Sequence, residues 1–121
     1  MANAQTSYSK GVLAEKAAAK HLKRKGYKII EERYKTKFGE IDIIASKGDL
    51  IVFIEVKAHQ SVENSLYAVT PRTRRRIEQS ALWFLSENPE YAGFEMRFDV
   101  MALKDGGRCA EHLDNAWMVG S

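Results

Sequence analysis

One segment, from Gly39 to Lys57, constrains the fold of this chain more than any other part of it. It consists of two apolar stretches on either side of the polar loop Lys47-Gly48-Asp49-Leu50, which is the pattern of a β-hairpin. Acidic and basic residues interrupt both stretches, and strand interiors rarely contain them unless they are paired or bind a ligand. The segment therefore predicts a hairpin that carries a functional cluster.

The geometry of this hairpin predicts which charged residues meet. With residues 47–50 as the loop, Asp42 lies opposite Glu55 and Glu40 lies opposite Lys57. Alternation puts all four side chains on one face, and opposed Cβ atoms lie about 4.5–5.5 Å apart. Because two carboxylates at this distance repel each other, we predict a bound cation. In the alternative interpretation, Glu40 and Lys57 form a solvated ion pair worth at most about 1 kcal/mol.

Length and composition limit the class of protein. A chain of 121 residues suits a single domain over 1–121, and we expect residues 1–8 to be a flexible N-terminus. No apolar run resembles a signal peptide or a membrane span, and the single Cys109 excludes an intramolecular disulfide. These features predict a cytoplasmic protein.

Positive charge is concentrated in the first part of the chain. Residues 1–76 carry 16 Lys and Arg against 8 Asp and Glu, whereas residues 77–121 carry 3 against 8. The basic residues that we consider as phosphate contacts are Lys35, Lys37, Arg72, Arg74, Arg75 and Arg76. The four arginines lie where a helix dipole disfavours cations, which favours a phosphate partner, but a solvated basic face explains them equally well.

Periodicity and capping residues predict the order αβββαββ. The elements are a helix from Ser7 or Ser9 to Lys25, a strand over 27–34, the hairpin, a loop over 59–69, a helix from Thr70 to about 88, and strands over 94–103 and 110–113. Trp83 and Trp117 have apolar neighbours in the sequence, so we expect both to be packing residues.

Asp42, a spacer of twelve residues and Glu55-Val56-Lys57, preceded by a helical Glu15, resemble the PD-(D/E)xK nuclease superfamily. More narrowly, four blocks of the chain are similar to the YraN family of small bacterial proteins, which is related to archaeal Holliday-junction resolvases. The blocks are Gly39–Asp42, Phe53–Lys57, Arg97–Val100 and Asn115–Trp117. The resemblance implies an α/β fold with a restriction-endonuclease-like αβββαβ core, in which helices flank a mixed sheet.

The resemblance also implies a function and assigns roles to residues. It implies a metal-dependent endonuclease that hydrolyses phosphodiester bonds in DNA, including branched or junction DNA. Asp42, Glu55 and the backbone carbonyl of Val56 would bind Mg²⁺ or Mn²⁺, which prefer oxygen ligands. Lys57 would position the attacking water or stabilise charge on the phosphate, and Glu15 would assist from the first helix.

The remaining expectations concern the surroundings of the site. Glu40 and Gln79 are candidates for residues that surround the metal ligands without binding the metal. A homodimer is expected because many relatives act as dimers in which each protomer cuts one strand. The chain departs from the family pattern at Glu32–Lys35, where Asn-Trp-Arg is common. The alternative function is a non-catalytic nucleic-acid-binding module of a DNA-processing complex. In a third reading, the protein is structural and the acids lie on its surface.

Overall fold

The computed structural model describes residues 7–58, 62–104 and 109–120. The first half of the chain forms α1 (Ser7–Arg24), β1 (Lys28–Thr36), β2 (Gly39–Lys47) and β3 (Leu50–Ala58). The second half forms α2 (Val62–Ala68), α3 (Pro71–Glu87), a 3-10 turn (Pro89–Tyr91), β4 (Glu95–Lys104) and β5 (Cys109–Leu113). The predicted order is confirmed, with the short helix α2 added before α3.

The five strands form one mixed sheet in the order β1-β2-β3-β4-β5. Neighbouring strands are antiparallel except for β3 and β4, which are parallel and pair from Leu50 opposite Glu95 to Ala58 opposite Leu103. A parallel pair requires a long crossover connection, and α2 and α3 lie in the segment that makes it. The α/β fold with its αβββαβ core is therefore confirmed.

Helices cover both faces of the sheet. On one face, α1 packs through residues such as Ala18 and Leu22, and its alanines allow close approach to the strands. On the other face, α3 packs Ile77 and Phe84 against residues that include Phe53 of β3. Since both faces are buried, β3 is apolar over Ile51 to Ile54 without a polar interruption. No helix in the described ranges is long and apolar enough to cross a bilayer.

The helix boundaries follow the predicted capping residues. The Oγ1 atom of Thr70 accepts a hydrogen bond of 3.2 Å from the backbone N–H of Thr73, and Pro71 occupies the first helical position of α3. Helix α1 ends at Arg24, and Gly26 follows with a φ of 91°. This left-handed conformation favours glycine and confirms the predicted end of the first helix.

Two expectations about irregular segments change. The loop predicted over 59–69 is wrong because α2 occupies Val62–Ala68, where Ser65 and the following Val69 are buried and Leu66 packs against the core. A helix of seven residues has too few turns to display a clear period. Of the expected flexible segment 1–8, residues 1–6 lie outside the described residues, as do 59–61, and positions 7 and 8 belong to α1.

Candidate metal centre

The candidate centre lies where β2 and β3 stop pairing. The predicted register holds from Lys47 opposite Leu50 to Ile43 opposite Ile54, where the ladder ends. Asp42 precedes Ile43 on β2 and lies just beyond the end of the ladder. Its Oδ2 atom accepts a hydrogen bond of 2.8 Å from the backbone N–H of Val56. The Asp42 carboxylate thus takes the place that a backbone carbonyl would have in a continued ladder.

The alternation of side chains along β2 changes at the same residue. Ile44 and Ile41 both belong to the core cluster beneath α3, whereas Ile43 belongs to the cluster beneath α1. Strict alternation would instead put Ile41 on the same side as Ile43. The prediction that strict alternation along β2 continues through Asp42 is therefore wrong. The shift brings the Asp42 carboxyl within hydrogen-bonding reach of Glu15 on α1.

An irregularity of β1 faces Asp42. The ladder between β1 and β2 includes Glu32 opposite Ile43 and Tyr34 opposite Ile41, so Arg33 stands across from Asp42. Arg33 has a φ of 54°, a left-handed conformation that costs a residue with a Cβ atom roughly 1 kcal/mol. In this conformation its Nη1 atom lies 3.3 Å from Oε1 of Glu15.

The carboxyl groups are crowded and poorly hydrated. Burial raises the pKa of Glu15 to about 7, with the charge of Asp42 adding to the rise and the charge of Arg33 opposing it. Burial likewise raises the pKa of Asp42 to about 8, the Glu55 carboxylate adds to this rise, and the Val56 N–H opposes it. The repulsion expected between the paired acids is therefore present, and it would be relieved by a proton or by a cation.

Lys57 and Glu40 lie beside these acids. The Nζ atom of Lys57 is 3.3 Å from Oε2 of Glu55, so its ion pair is with the residue two positions earlier on β3. Glu40 pairs across the β1–β2 ladder with Lys35, and its charge contributes to the raised pKa values of Glu15 and Asp42. Glu40 therefore acts on the carboxyl cluster through its charge.

The chemistry of this cluster fits a hard divalent cation. Asp42 and Glu55 supply carboxylate oxygens, and Val56 lies between Glu55 and Lys57 on β3 with its N–H bonded to Asp42. No group of three or more His, Cys, Asp or Glu side chains already shaped to enclose a metal is found in the part of the chain that the structure describes. Mg²⁺ usually keeps several waters and uses one or two carboxylates, so Asp42 and Glu55 are the side chains here that could hold it.

The predicted basic residues occupy different environments. Arg72, Arg75 and Arg76 are exposed on α3, and so are Lys35 and Lys37 on β1 and in the turn that follows it. Arg74 differs, because its Nε donates a hydrogen bond of 3.0 Å to the carbonyl of Val69 and its guanidinium lies over the ring of Trp117. Arg74 is thus engaged in packing. Gln79 is exposed on α3.

A second group of charges is centred on β4. Asp99 of β4 has no exposed surface and accepts hydrogen bonds from Arg97, from Nε2 of His112 and from the backbone N–H of Asn115. Burial alone would raise the pKa of Asp99, but these hydrogen bonds together lower it. This arrangement joins β4, β5 and the C-terminal segment, which supports a structural role for Asp99.

Sequence reasoning missed two features near the candidate centre. The first is Arg33, which contacts Glu15 from a left-handed position. The second is Trp83: Trp117 is buried as predicted, but 40% of Trp83 is exposed. The apolar neighbours of Trp83 in the sequence gave no sign of this, because a helix turns adjacent residues toward different environments.

Comparison with known proteins gives a family match. A family model described as "Uncharacterised protein family UPF0102" matches residues 14–103. A UPF0102 protein of Bradyrhizobium diazoefficiens is 47% identical over 97 residues, which cover 80% of this chain and 73% of the relative. A UPF0102 protein of Rhodopseudomonas palustris is 44% identical over 111 residues, covering 92% and 85% of the two chains.

A third relative extends the match along almost the whole chain. A UPF0102 protein of Mesorhizobium japonicum is 42% identical over 116 residues, which cover 96% of this chain and 92% of the relative. The match therefore includes the first helix and the two strands, β2 and β3, that carry the acidic cluster. The chain belongs to the family UPF0102, the YraN family.

Proposed function

We propose that the protein is a metal-dependent endonuclease that hydrolyses phosphodiester bonds in DNA. The observation that carries the proposal is the hydrogen bond of 2.8 Å from the Val56 N–H to Asp42, which holds this acid beside Glu55 and Lys57, and the Lys57 ammonium lies 3.3 Å from Glu55. Burial and mutual repulsion raise the pKa values of Glu15 and Asp42, and strongly shifted groups that cluster in this way mark functional sites.

Asp42, Glu55 and the carbonyl of Val56 are the groups that would hold Mg²⁺ or Mn²⁺. When bound, such a cation lowers the pKa of water and offsets negative charge on the phosphate oxygens. The hydrogen bond from the Val56 N–H fixes the Asp42 carboxylate against β3, so both acids are oriented before any cation arrives. This preorganisation reduces the cost of bringing the two ligands together.

Lys57 supplies the positive charge at the reacting centre. Its side chain is partly exposed, with 26% of its surface accessible, so it can turn toward a phosphate without leaving the site. An ammonium group there stabilises the charge that develops on the phosphate in the transition state. Glu15 has a pKa near 7 and can accept or return a proton near neutral pH.

The exposed cations of α3 and of the β1–β2 hairpin would contact the DNA backbone. Arg72, Arg75 and Arg76 lie on the helix, and Lys35 and Lys37 lie on the hairpin. Phosphate contacts of this kind position the substrate without reading its sequence. The proposal includes branched DNA as a substrate, which cleavage of different DNA structures tests. It also includes a homodimer that cuts both strands, which the oligomeric state in solution tests.

The test is cleavage of labelled four-way junction, flap, duplex and single-stranded DNA in the presence of Mn²⁺, Mg²⁺ or EDTA. We expect cleavage that requires the metal and that Asp42→Asn and Lys57→Ala each reduce by at least about 100-fold. Asp49→Asn is the matched control, because Asp49 is an exposed acid in the turn of the same hairpin. Equal DNA binding by all variants with no cleavage of any substrate would favour the non-catalytic binding module.

A further inference from the structure

We infer that the exposed surface formed by the β1–β2 turn and α3 binds an unpaired nucleotide of a nucleic-acid strand. We call this surface the stacking platform: it consists of Phe38 and Trp83, with Lys37 and Arg76 as its cations. The inference deepens the proposed function, since it assigns single-stranded nucleic acid, or the unpaired part of a branched substrate, to the same site.

The platform is built by the packing of α3 against the turn. Arg76, Ser80 and Trp83 are spaced by four and three residues, which puts them on one side of the helix. The Oγ of Ser80 lies 2.8 Å from Oγ1 of Thr36, at the end of β1. A Cβ atom at Gly39 would lie 3.5 Å from Cβ of Arg76, so the helix and the turn are in close contact.

Of the two aromatic rings at this contact, Trp83 is exposed and Phe38 is half-buried. The centroids of Phe38 and Trp83 are 6.4 Å apart with an interplanar angle of 65°. Trp83 is 40% exposed even though α3 has a well-packed inner side, and its neighbour Leu82 is 60% exposed. An indole ring that keeps this much surface in water is within reach of a base, and every base can stack regardless of its identity.

Charge determines which partner fits this surface. The Nζ atom of Lys37 lies 5.3 Å from the ring centroid of Phe38 and 5.4 Å from that of Trp83. Arg76 is exposed on the same side of α3. Aromatic rings bordered by cations are the combination by which proteins hold single strands, because the rings stack with bases and the cations contact phosphates.

The platform is also at a suitable distance from the acids. β2 runs from Gly39, which contacts α3, to Asp42, three residues along the strand. At about 3.3 Å per residue, Gly39 and Asp42 lie about 10 Å apart along the strand. A nucleic-acid strand with a phosphate at the acidic cluster would reach the β1–β2 turn within a few nucleotides.

The test follows tryptophan fluorescence while oligothymidylate is added in EDTA, so that binding is observed without cleavage. We expect quenching in the wild-type protein, and no quenching in Trp83→Phe, where the remaining Trp117 is buried. Trp83→Ala should weaken binding of oligothymidylate by roughly tenfold or more, and change binding of a blunt duplex by less than about twofold. Lys37→Ala should lower the salt dependence of single-strand binding by about 0.7 in the log–log slope.

Leu82→Ala is the matched control, since it truncates an exposed apolar neighbour on the same helix and should change neither signal. Three results would overturn the inference: no binding of oligothymidylate, binding that leaves tryptophan emission unchanged, or equal weakening of single-strand and duplex binding in Trp83→Ala. If Trp83→Ala does not fold, the quenching difference between wild type and Trp83→Phe decides alone. Metal-dependent cleavage without quenching contradicts only this inference, whereas quenching without cleavage contradicts only the proposed nuclease.

Discussion

The carboxylate of Asp42 accepts a hydrogen bond from the backbone N–H of Val56 at 2.8 Å, across the point where two strands stop pairing. This contact ties an acid of β2 to the strand that carries Glu55 and Lys57. It also keeps Asp42 in a poorly hydrated position, where burial raises the pKa of its carboxyl to about 8.

The metal-free protein should lose stability as pH rises from 6 to 9. Because the folded-state pKa values of Glu15 and Asp42, about 7 and about 8, exceed the values near 4 in the unfolded chain, their contribution is complete below about pH 4. It is lost as the pH rises through 7 and 8. We expect the free energy of unfolding, measured with urea in EDTA, to fall by roughly 4 kcal/mol between pH 6 and pH 9.

Two variants and the addition of Mn²⁺ test whether Asp42 causes this pH dependence. Asp42→Asn should flatten the pH dependence, because the amide cannot ionise, whereas Asp49→Asn should leave it unchanged. Addition of Mn²⁺ at pH 9 should restore stability in the wild type by mass action, and should fail to do so in Asp42→Asn. A wild-type protein equally stable at pH 6 and pH 9 would contradict the prediction.

Arg33 should hold the pKa of Glu15 down. Its guanidinium is 3.3 Å from the Glu15 carboxyl and opposes the rise that burial causes. In Arg33→Asn, whose side chain tolerates a left-handed backbone, we expect the pKa of Glu15 to rise by roughly one unit. The measurement is an NMR titration of the labelled carboxyl carbon, with Arg33→Lys as the control that retains the charge. An unchanged pKa in Arg33→Asn would show that the ion pair is not formed in solution.

Lys57→Ala should separate metal binding from cleavage. The ammonium lies 3.3 Å from Glu55, so its removal leaves the acids more negative and should preserve or increase Mn²⁺ affinity. Cleavage should nevertheless fall by about 100-fold or more, because transition-state charge loses its partner. Calorimetry and cleavage of the preferred substrate measure the two effects, with Lys28→Ala on the exposed part of β1 as the control. Loss of metal binding in Lys57→Ala would indicate that the lysine acts by maintaining the structure.

Asp99→Asn should destabilise the fold without a specific effect on metal affinity. Asp99 is fully buried and accepts hydrogen bonds from Arg97 and His112, so its replacement leaves Arg97 without its buried counter-charge. We expect a loss of about 3 kcal/mol near neutral pH. The pKa of Asp99 is lowered, so this difference should narrow as the pH falls below about 4. Asp114→Asn, at an exposed position nearby in the chain, should cost little in urea denaturation.

Local signals in the sequence were sufficient for much of the fold. The loop at residues 47–50 predicted the β2–β3 register, because turn length determines which residues oppose each other. Thr70 and Pro71 predicted the start of α3 through capping geometry. Helix α2 was missed, because seven residues are too few to show which side of a helix will be buried against the core.

The candidate centre was predictable only in part. Asp42, Glu55 and Lys57 could be grouped from the hairpin alone, but the resemblance to nucleases was needed to include Glu15. The two-residue turn between Thr36 and Gly39 would have placed Arg33 opposite Asp42 by the same register argument. Its left-handed backbone was not predictable, because a non-glycine residue adopts that conformation only when the surrounding structure imposes it.

The early end of the β2–β3 ladder has a mechanical consequence. β4 supports β3 over its full length, from Leu50 to Ala58, but β2 supports it only as far as Ile54. Beyond that point, β2 is held to β3 by the hydrogen bond from the Val56 N–H to the Asp42 side chain. A cation held by Asp42 and Glu55 would add a second link between β2 and β3 at the point where their ladder has ended. Metal binding would then also stiffen this end of the sheet.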